Sequence, residues 1–162
     1  MWKKNIRKDK RRRGESYIGA KNITKAARPL LPPPCFVKPN HKCIAFVKEE
    51  NRQEIYNQFR KLPSLDDQRV FVINHVEQRF KSRVTRNIEN SRRSFTYEYT
   101  FTVDGQKIKV CREFFMATLN VTDSFIRTAC QKRSSNGVIR GDLRGKHAPF
   151  NKLSKTEIRM IN

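Results

Sequence analysis

A stretch of strict two-residue alternation constrains the fold of this chain more than any other feature. Phe95, Tyr97, Tyr99, Phe101 and Val103 alternate with Thr96, Glu98, Thr100 and Thr102. Successive side chains of an extended strand point to opposite faces, so this is the pattern of a half-buried strand. Asp104-Gly105 follows, a pair suited to a two-residue hairpin turn, and Ile108 and Val110 begin a return strand. The run predicts a β-hairpin. An isolated hairpin is marginal in water, so the aromatic row is expected to face an apolar partner rather than to act as a base-stacking platform.

Residues 110–133 carry the next strong pattern. Phe114, Phe115 and Leu119 mark a short amphipathic helix, and Asn120 tolerates the left-handed conformation of a tight turn. Val121 plugs the junction, Thr122 caps the next helix, and Asp123 suits its positive end. Ile126, Ala129 and Cys130 then face inward. The spacing from Met116 through Asn120 to Ile126 is that of a helix-turn-helix. On that reading Ser124, Arg127, Thr128 and Gln131 are exposed on the second helix as candidate base readers, Arg for guanine and Gln for adenine. Lys132 and Arg133 at its end suit phosphates.

Upstream, Ile55, Phe59 and Leu62 recur at helical spacing before Pro63 ends the run. Ser64, Asp66 and Asp67 open a second helix, which Phe71, Ile73, Val76 and Phe80 are expected to continue. His75 within it reads as an ordinary surface or core histidine. The two helices predict a helical hairpin, so the fold class is mainly α with a β-hairpin, that is α+β. Residues 81–93 are polar and basic and read as a linker.

Charge decides the class of partner. The chain has 162 residues, with 36 Lys and Arg against 15 Asp and Glu, a formal net charge of +21, and an apolar fraction of only 36%. Such an excess repels itself unless a polyanion neutralises it, and the small apolar fraction predicts a small core with disordered flanks. Residues 1–34 read as a disordered basic arm ending in the prolines 29 and 32–34. Its Arg7, Lys8, Lys10, Arg11, Arg12 and Arg13 suit a nuclear import signal or a phosphate-binding arm, as well as a solvated tail. Residues 35–133 form the expected domain. Residues 134–153 read as a basic, glycine-containing linker in which Arg140, Arg144 and Lys146 either clamp the DNA backbone or only tether. Residues 154–162 read as the start of a truncated helix.

No stretch approaches the roughly 20 apolar residues of a membrane span, and no apolar segment follows the basic N-terminus as in a secretory signal. The four cysteines therefore read as thiols or metal ligands rather than disulfides. Cys35, His41 and Cys43 place three soft ligands in one short loop. Zinc wants four, and a fourth could come from Cys111, Cys130 or a residue outside the chain, although Cys111 and Cys130 are expected to pack in the core instead. No cofactor other than this structural zinc is expected. Catalysis is not expected either, because Glu77, Glu98, Asp104, Glu113, Asp123 and Asp142 fall on separate elements and no nucleophile is placed beside a base.

One resemblance rests on particular residues: Arg12-Arg-Gly-Glu-Ser-Tyr-Ile-Gly19, Pro34-Cys35 with Lys42-Cys43, Ser91-Arg-Arg-Ser94, Val110-Cys111 with Phe114-Phe115, and Arg144-Gly-Lys-His147. In these the chain resembles the N-terminal region of a family of uncharacterised arthropod proteins that look transposon-derived. The resemblance spans about residues 11–162. It implies a nuclear, DNA-related origin, upstream of a nuclease-like transposase domain. Relatives in that family carry a further cysteine near the position of Pro39, which this chain lacks. The expectation is thus a nuclear protein that binds duplex DNA by a helix-turn-helix with phosphate contacts from basic arms. RNA binding or protein interaction is the alternative, and a metal-dependent nuclease or transposase fragment a more distant one.

Overall fold

The computed structural model describes residues 2–36, 41–80 and 95–134. Over these the chain is a mixed α+β fold of six α-helices, a two-stranded hairpin and a three-stranded antiparallel sheet. Residues 81–93, the linker 134–153 beyond its first residue, and 154–162 lie outside them.

Helix α3 (Glu49–Lys61) starts with two glutamates at its positive end and closes with Arg60 and Lys61 at its negative end, charges that complement the helix dipole. Ser64 then builds a capping box with Asp67, each side chain meeting the other residue's backbone N–H, and α4 (Leu65–His75) begins. The expected helical hairpin is therefore present. Its second member stops earlier than the periodicity suggests: Val76 turns to φ −124° and ψ 113°, and β3 (Val76–Phe80) follows without a loop.

The reason for this early end lies in the sheet. Strand β4 (Phe95–Val103) pairs with β5 (Gln106–Val110) across the Asp104-Gly105 turn, where both residues have positive φ. Its other edge takes β3, with Val76 opposite Tyr99 and Phe80 opposite Phe95. Continuing α4 would leave that edge of β4 without partners for its backbone groups, which extended residues 76–80 provide. Phe80 matches the helical period but not burial: it is 81% exposed and contacts Phe95 with ring centroids 5.0 Å apart.

One face of the sheet closes the core. Val76, Tyr99, Phe101 and Val110 are buried with Ile55, Phe59, Val72, Phe114, Phe115, Leu119, Ile126 and Ala129. Phe101 stacks on Phe115 at 4.8 Å, and Tyr99 lies 5.3 Å from the same ring. The aromatic row is thus a core face at its inner end, as the instability of a lone hairpin requires.

His75 sits at the edge of this core, stacked on Phe71 at 4.3 Å with its Nδ1 2.8 Å from the Phe71 carbonyl oxygen. Burial lowers its pKa below the ordinary 6.5, against the opposing pull of that carbonyl. The unfolded chain therefore binds the proton more readily than the folded one. Stability should be complete above about pH 6.5 and decline as pH falls from there toward the lowered folded value. Urea unfolding at stepped pH checks this. His75→Gln should flatten the decline, and an unchanged slope would remove His75 as its source.

The N-terminal segment corrects the reading of a disordered arm. Residues 3–13 form α1 (Lys3–Arg13), closed by Gly14 at φ 78° with the reverse-turn hydrogen bonds of Gly14 N–H to Arg11 and Glu15 N–H to Lys10. Asp9 pairs with Arg12 and Arg13 and relieves part of the like-charge repulsion that argued against a helix. A small hairpin follows, β1 (Tyr17–Ile18) with β2 (Thr24–Lys25). Residues 28–31 then run along the domain: Arg28 N–H donates to Gly14 O, and Leu31 N–H to Ala117 O. The boundary expected at residue 34 is accordingly no break in structure. A 3-10 turn at Pro34–Phe36 and the short α2 (Cys43–Phe46) complete this side.

Candidate nucleic-acid interface and thiol cluster

Strand β5 leads directly into two helices, α5 (Arg112–Leu119) and α6 (Asp123–Gln131). Asn120 between them takes φ 46° and ψ 52°, the left-handed conformation its residue type tolerates. Its side-chain amide donates to Pro29 O at 2.7 Å. Thr122 caps α6 by accepting from Phe125 N–H, with Asp123 in the first turn. The helix–turn–helix order, its turn residue and its cap all fall where the residue pattern puts them.

Two arginines of α3 hold α5 and the turn after it, although the residue pattern presents both only as part of a polar helix face. Arg52 is 1% exposed. Its guanidinium donates to Thr118 Oγ1 on α5 at 3.0 Å, to Leu31 O at 2.7 Å and to Glu49 at 2.6 Å, and it lies 5.1 Å from the centre of the Phe114 ring. Arg60 donates to Leu119 O at 2.9 Å, to Asn120 O at 3.2 Å and to Arg12 O at 3.2 Å. It thereby caps the C-terminal ends of both α5 and α1. Burial lowers the Arg60 pKa from its ordinary value. The available signal was positional: Arg52, Ile55, Phe59 and Arg60 share one helical stripe, so cations on the apolar face of α3 imply carbonyls above them.

The outer face of α6 presents Ser124, Arg127 and Gln131, all exposed, at successive turns of one stripe. Thr128 is placed differently. It is half-buried, and its hydroxyl donates to Ser124 O at 2.8 Å. Arg127 is held by Asp123 at 2.6 Å, and the same carboxylate holds Arg112 of α5 at 2.6 Å. Lys132 closes α6, with Arg133 exposed beside it. Arg140, Arg144 and Lys146 lie outside the described residues.

On α1 no residue is buried, and Lys3, Lys4, Lys8, Lys10, Arg11 and Arg13 are exposed while Arg7 and Arg12 are half-buried. The basic segment is thus a cationic helix whose C-terminal end shares Arg60 with the turn of α5 and α6.

The thiols gather at the other end of α5. The Sγ atoms of Cys35, Cys43 and Cys111 all lie within 4.8 Å of one another, with Cys35 and Cys111 at 3.5 Å. Cys111 is the N-cap of α5 and accepts from Phe114 N–H, while Cys43 Sγ accepts from Cys111 N–H at 3.2 Å. All are free thiols. Burial, reinforced by hydrogen bonds to the neighbouring thiols, pushes Cys35 up to about 12, and burial also raises Cys43. His41 joins Cys111 and Glu113 within the same 4.8 Å limit. Cys130 takes no part in either group and packs beside the core, where burial raises its pKa. Cys111 therefore belongs with the thiol cluster rather than with simple core packing. Its distance in sequence from Cys43 left no spacing to read.

Among the described residues no helix is long and apolar enough to cross a membrane. Comparison with protein-family models, with curated proteins and with solved structures gives no match to this chain.

Proposed function

We propose that the chain is a duplex DNA-binding module, in which α6 enters the major groove and the cationic surfaces beside it grip phosphates. The observation that supports this best is the exposed stripe of Ser124, Arg127 and Gln131 on a capped helix that follows a left-handed Asn120, in a chain of net charge +21. Arg127 and Gln131 are exposed and are the residue types that make bidentate contacts to guanine and adenine. In this reading Asp123 pairs with Arg127 until a base replaces it, and Arg112 keeps that carboxylate neutralised near the phosphates. Thr128 keeps an acceptor lone pair but gives its proton to the helix. Lys132 and Arg133 bind phosphate, and α1 adds a second cationic face.

The reading assigns no catalysis. It is consistent with a nuclear, transposon-derived origin of the kind the arthropod resemblance implies. It also takes the cluster of Cys35, Cys43 and Cys111 as the place of a structural zinc ion, since thiolate-rich sites favour zinc over harder divalent cations.

Selection from a random duplex pool by the wild type and by the Arg127→Ala, Gln131→Ala double variant tests the proposal. The wild type should enrich one sequence. The variant should lose that preference, at about 1–3 kcal/mol for each base no longer read, while keeping non-specific affinity. Equal, unselective binding by both proteins would refute α6 as the reader. Preference for structured RNA over duplex would favour RNA binding instead.

A further inference from the structure

We propose that His41 is the fourth ligand of the thiol cluster, making a Cys3His zinc site that fastens the N-terminal segment to the first helix of the helix-turn-helix. The inference rests on reading the cluster as a metal site and adds its closing ligand and its structural role.

Three sulfurs within 4.8 Å of one another, two of them 3.5 Å apart, are compatible with a zinc tetrahedron, whose Zn–S bonds of about 2.3 Å require sulfur separations of about 3.8 Å. Three ligands leave one position, and zinc in a structural site fills all four with protein atoms. His41 brings a nitrogen to the Cys111 sulfur, and its Nδ1 is buried without a hydrogen-bond partner. A buried polar nitrogen lacking a partner is costly, and coordination would satisfy it. The ring is near Cys111 and is not grouped with the other two sulfurs, so it must close inward when the ion binds. Glu113 is the competing ligand. It is exposed in the first turn of α5, where a carboxylate already favours the helix dipole, and its oxygen is a harder donor than imidazole beside three sulfurs.

The positions explain what the ion does. Cys35 lies in the 3-10 turn, His41 and Cys43 at the entry to α2, and Cys111 at the cap of α5. The N–H groups of Cys111 and Phe114 already donate to sulfur, the outer contacts that stabilise bound thiolates. Zinc would thus join Cys35, His41 and Cys43 to the start of α5, while Arg60 joins α1 to its end.

The 162-residue chain, purified without chelator, should carry one zinc ion by native mass spectrometry. X-ray absorption of that wild-type protein should show three sulfur neighbours and the scattering signature of one imidazole. His41→Ala should weaken zinc binding by at least about 10–100-fold, the range typical even of outer contacts, and His41→Cys should recover it. Glu113→Gln should leave affinity unchanged. A chain that takes up neither zinc nor cobalt would overturn the metal reading as a whole. One bound ion without an imidazole signature would overturn His41 alone, as would loss of binding in Glu113→Gln with His41→Ala unaffected.

Discussion

Raising the salt from about 50 mM to about 200 mM should weaken binding to duplex DNA by about a thousandfold or more if about six phosphates are contacted. Each cation placed on a phosphate releases a counterion, so log affinity falls with log salt at about 0.9 per phosphate neutralised. Lys132 and Arg133 beside α6, and the exposed cations of α1, supply enough such groups among the described residues. The steepness can be apportioned. Substituting Lys3, Lys4, Lys8 and Lys10 together by Ala removes only exposed side chains and leaves Gly14, Asp9 and Arg12 to hold α1 in place. The slope should then decrease by about 0.9 for each phosphate no longer neutralised, with sequence preference intact. The Arg127→Ala, Gln131→Ala variant should show the converse. Fluorescence anisotropy across a salt series checks both. A slope near zero for the wild type would exclude electrostatic DNA binding, and an unchanged slope in the lysine variant would confine phosphate binding to other surfaces.

A large loss of stability from a single polar substitution is expected at Arg60. Arg60→Ala removes the donor to three carbonyls, those of Arg12, Leu119 and Asn120, two of them at the turn of α5 and α6. The bond to Leu119 O is buried and the other two partly so, and Arg12 O keeps the Gln68 amide at 3.1 Å; a buried carbonyl left unpaired costs about 1–3 kcal/mol, so a loss of about 2–3 kcal/mol is expected. Arg60→Lys should recover little of it, because an ammonium cannot spread planar donors over carbonyls on two helices. Urea unfolding gives the loss directly. A loss below about 1 kcal/mol would mean that water replaces the guanidinium at these carbonyls. The same variant should also weaken sequence selection, since the turn that orients α6 loses its clamp.

Much of the site was legible because its signals are local. Asn120 has a side chain compatible with φ 46°, Thr122 has a hydroxyl in reach of Phe125 N–H, and Asp104-Gly105 accepts two positive φ values. Each is settled within four residues. Ser64 and Asp67 make the same point at α4. The misreadings share an opposite cause. Residues 76–80 satisfy a helical period, yet the unpaired edge of β4 makes them a strand. Residues 3–13 carry charge that disfavours an isolated helix, yet Gly14 and Arg60 close its end against the domain. Thr128 fits an exposed reading stripe, yet its hydroxyl turns back onto the helix.

The sequence by itself determined the α+β class, the hairpin, the helix-turn-helix with its turn and caps, and the cationic character that points to a polyanion. These follow from side-chain periodicity, backbone preference and net charge, which act over a few residues or need no geometry at all. Only the tertiary structure decided that the basic arm is a docked helix, that Arg52 and Arg60 are buried clamps, and that Cys111 meets Cys35 and Cys43. Those facts depend on groups separated by tens of residues, and what brings them together is the burial of apolar surface, which has no direction and leaves no spacing in the chain.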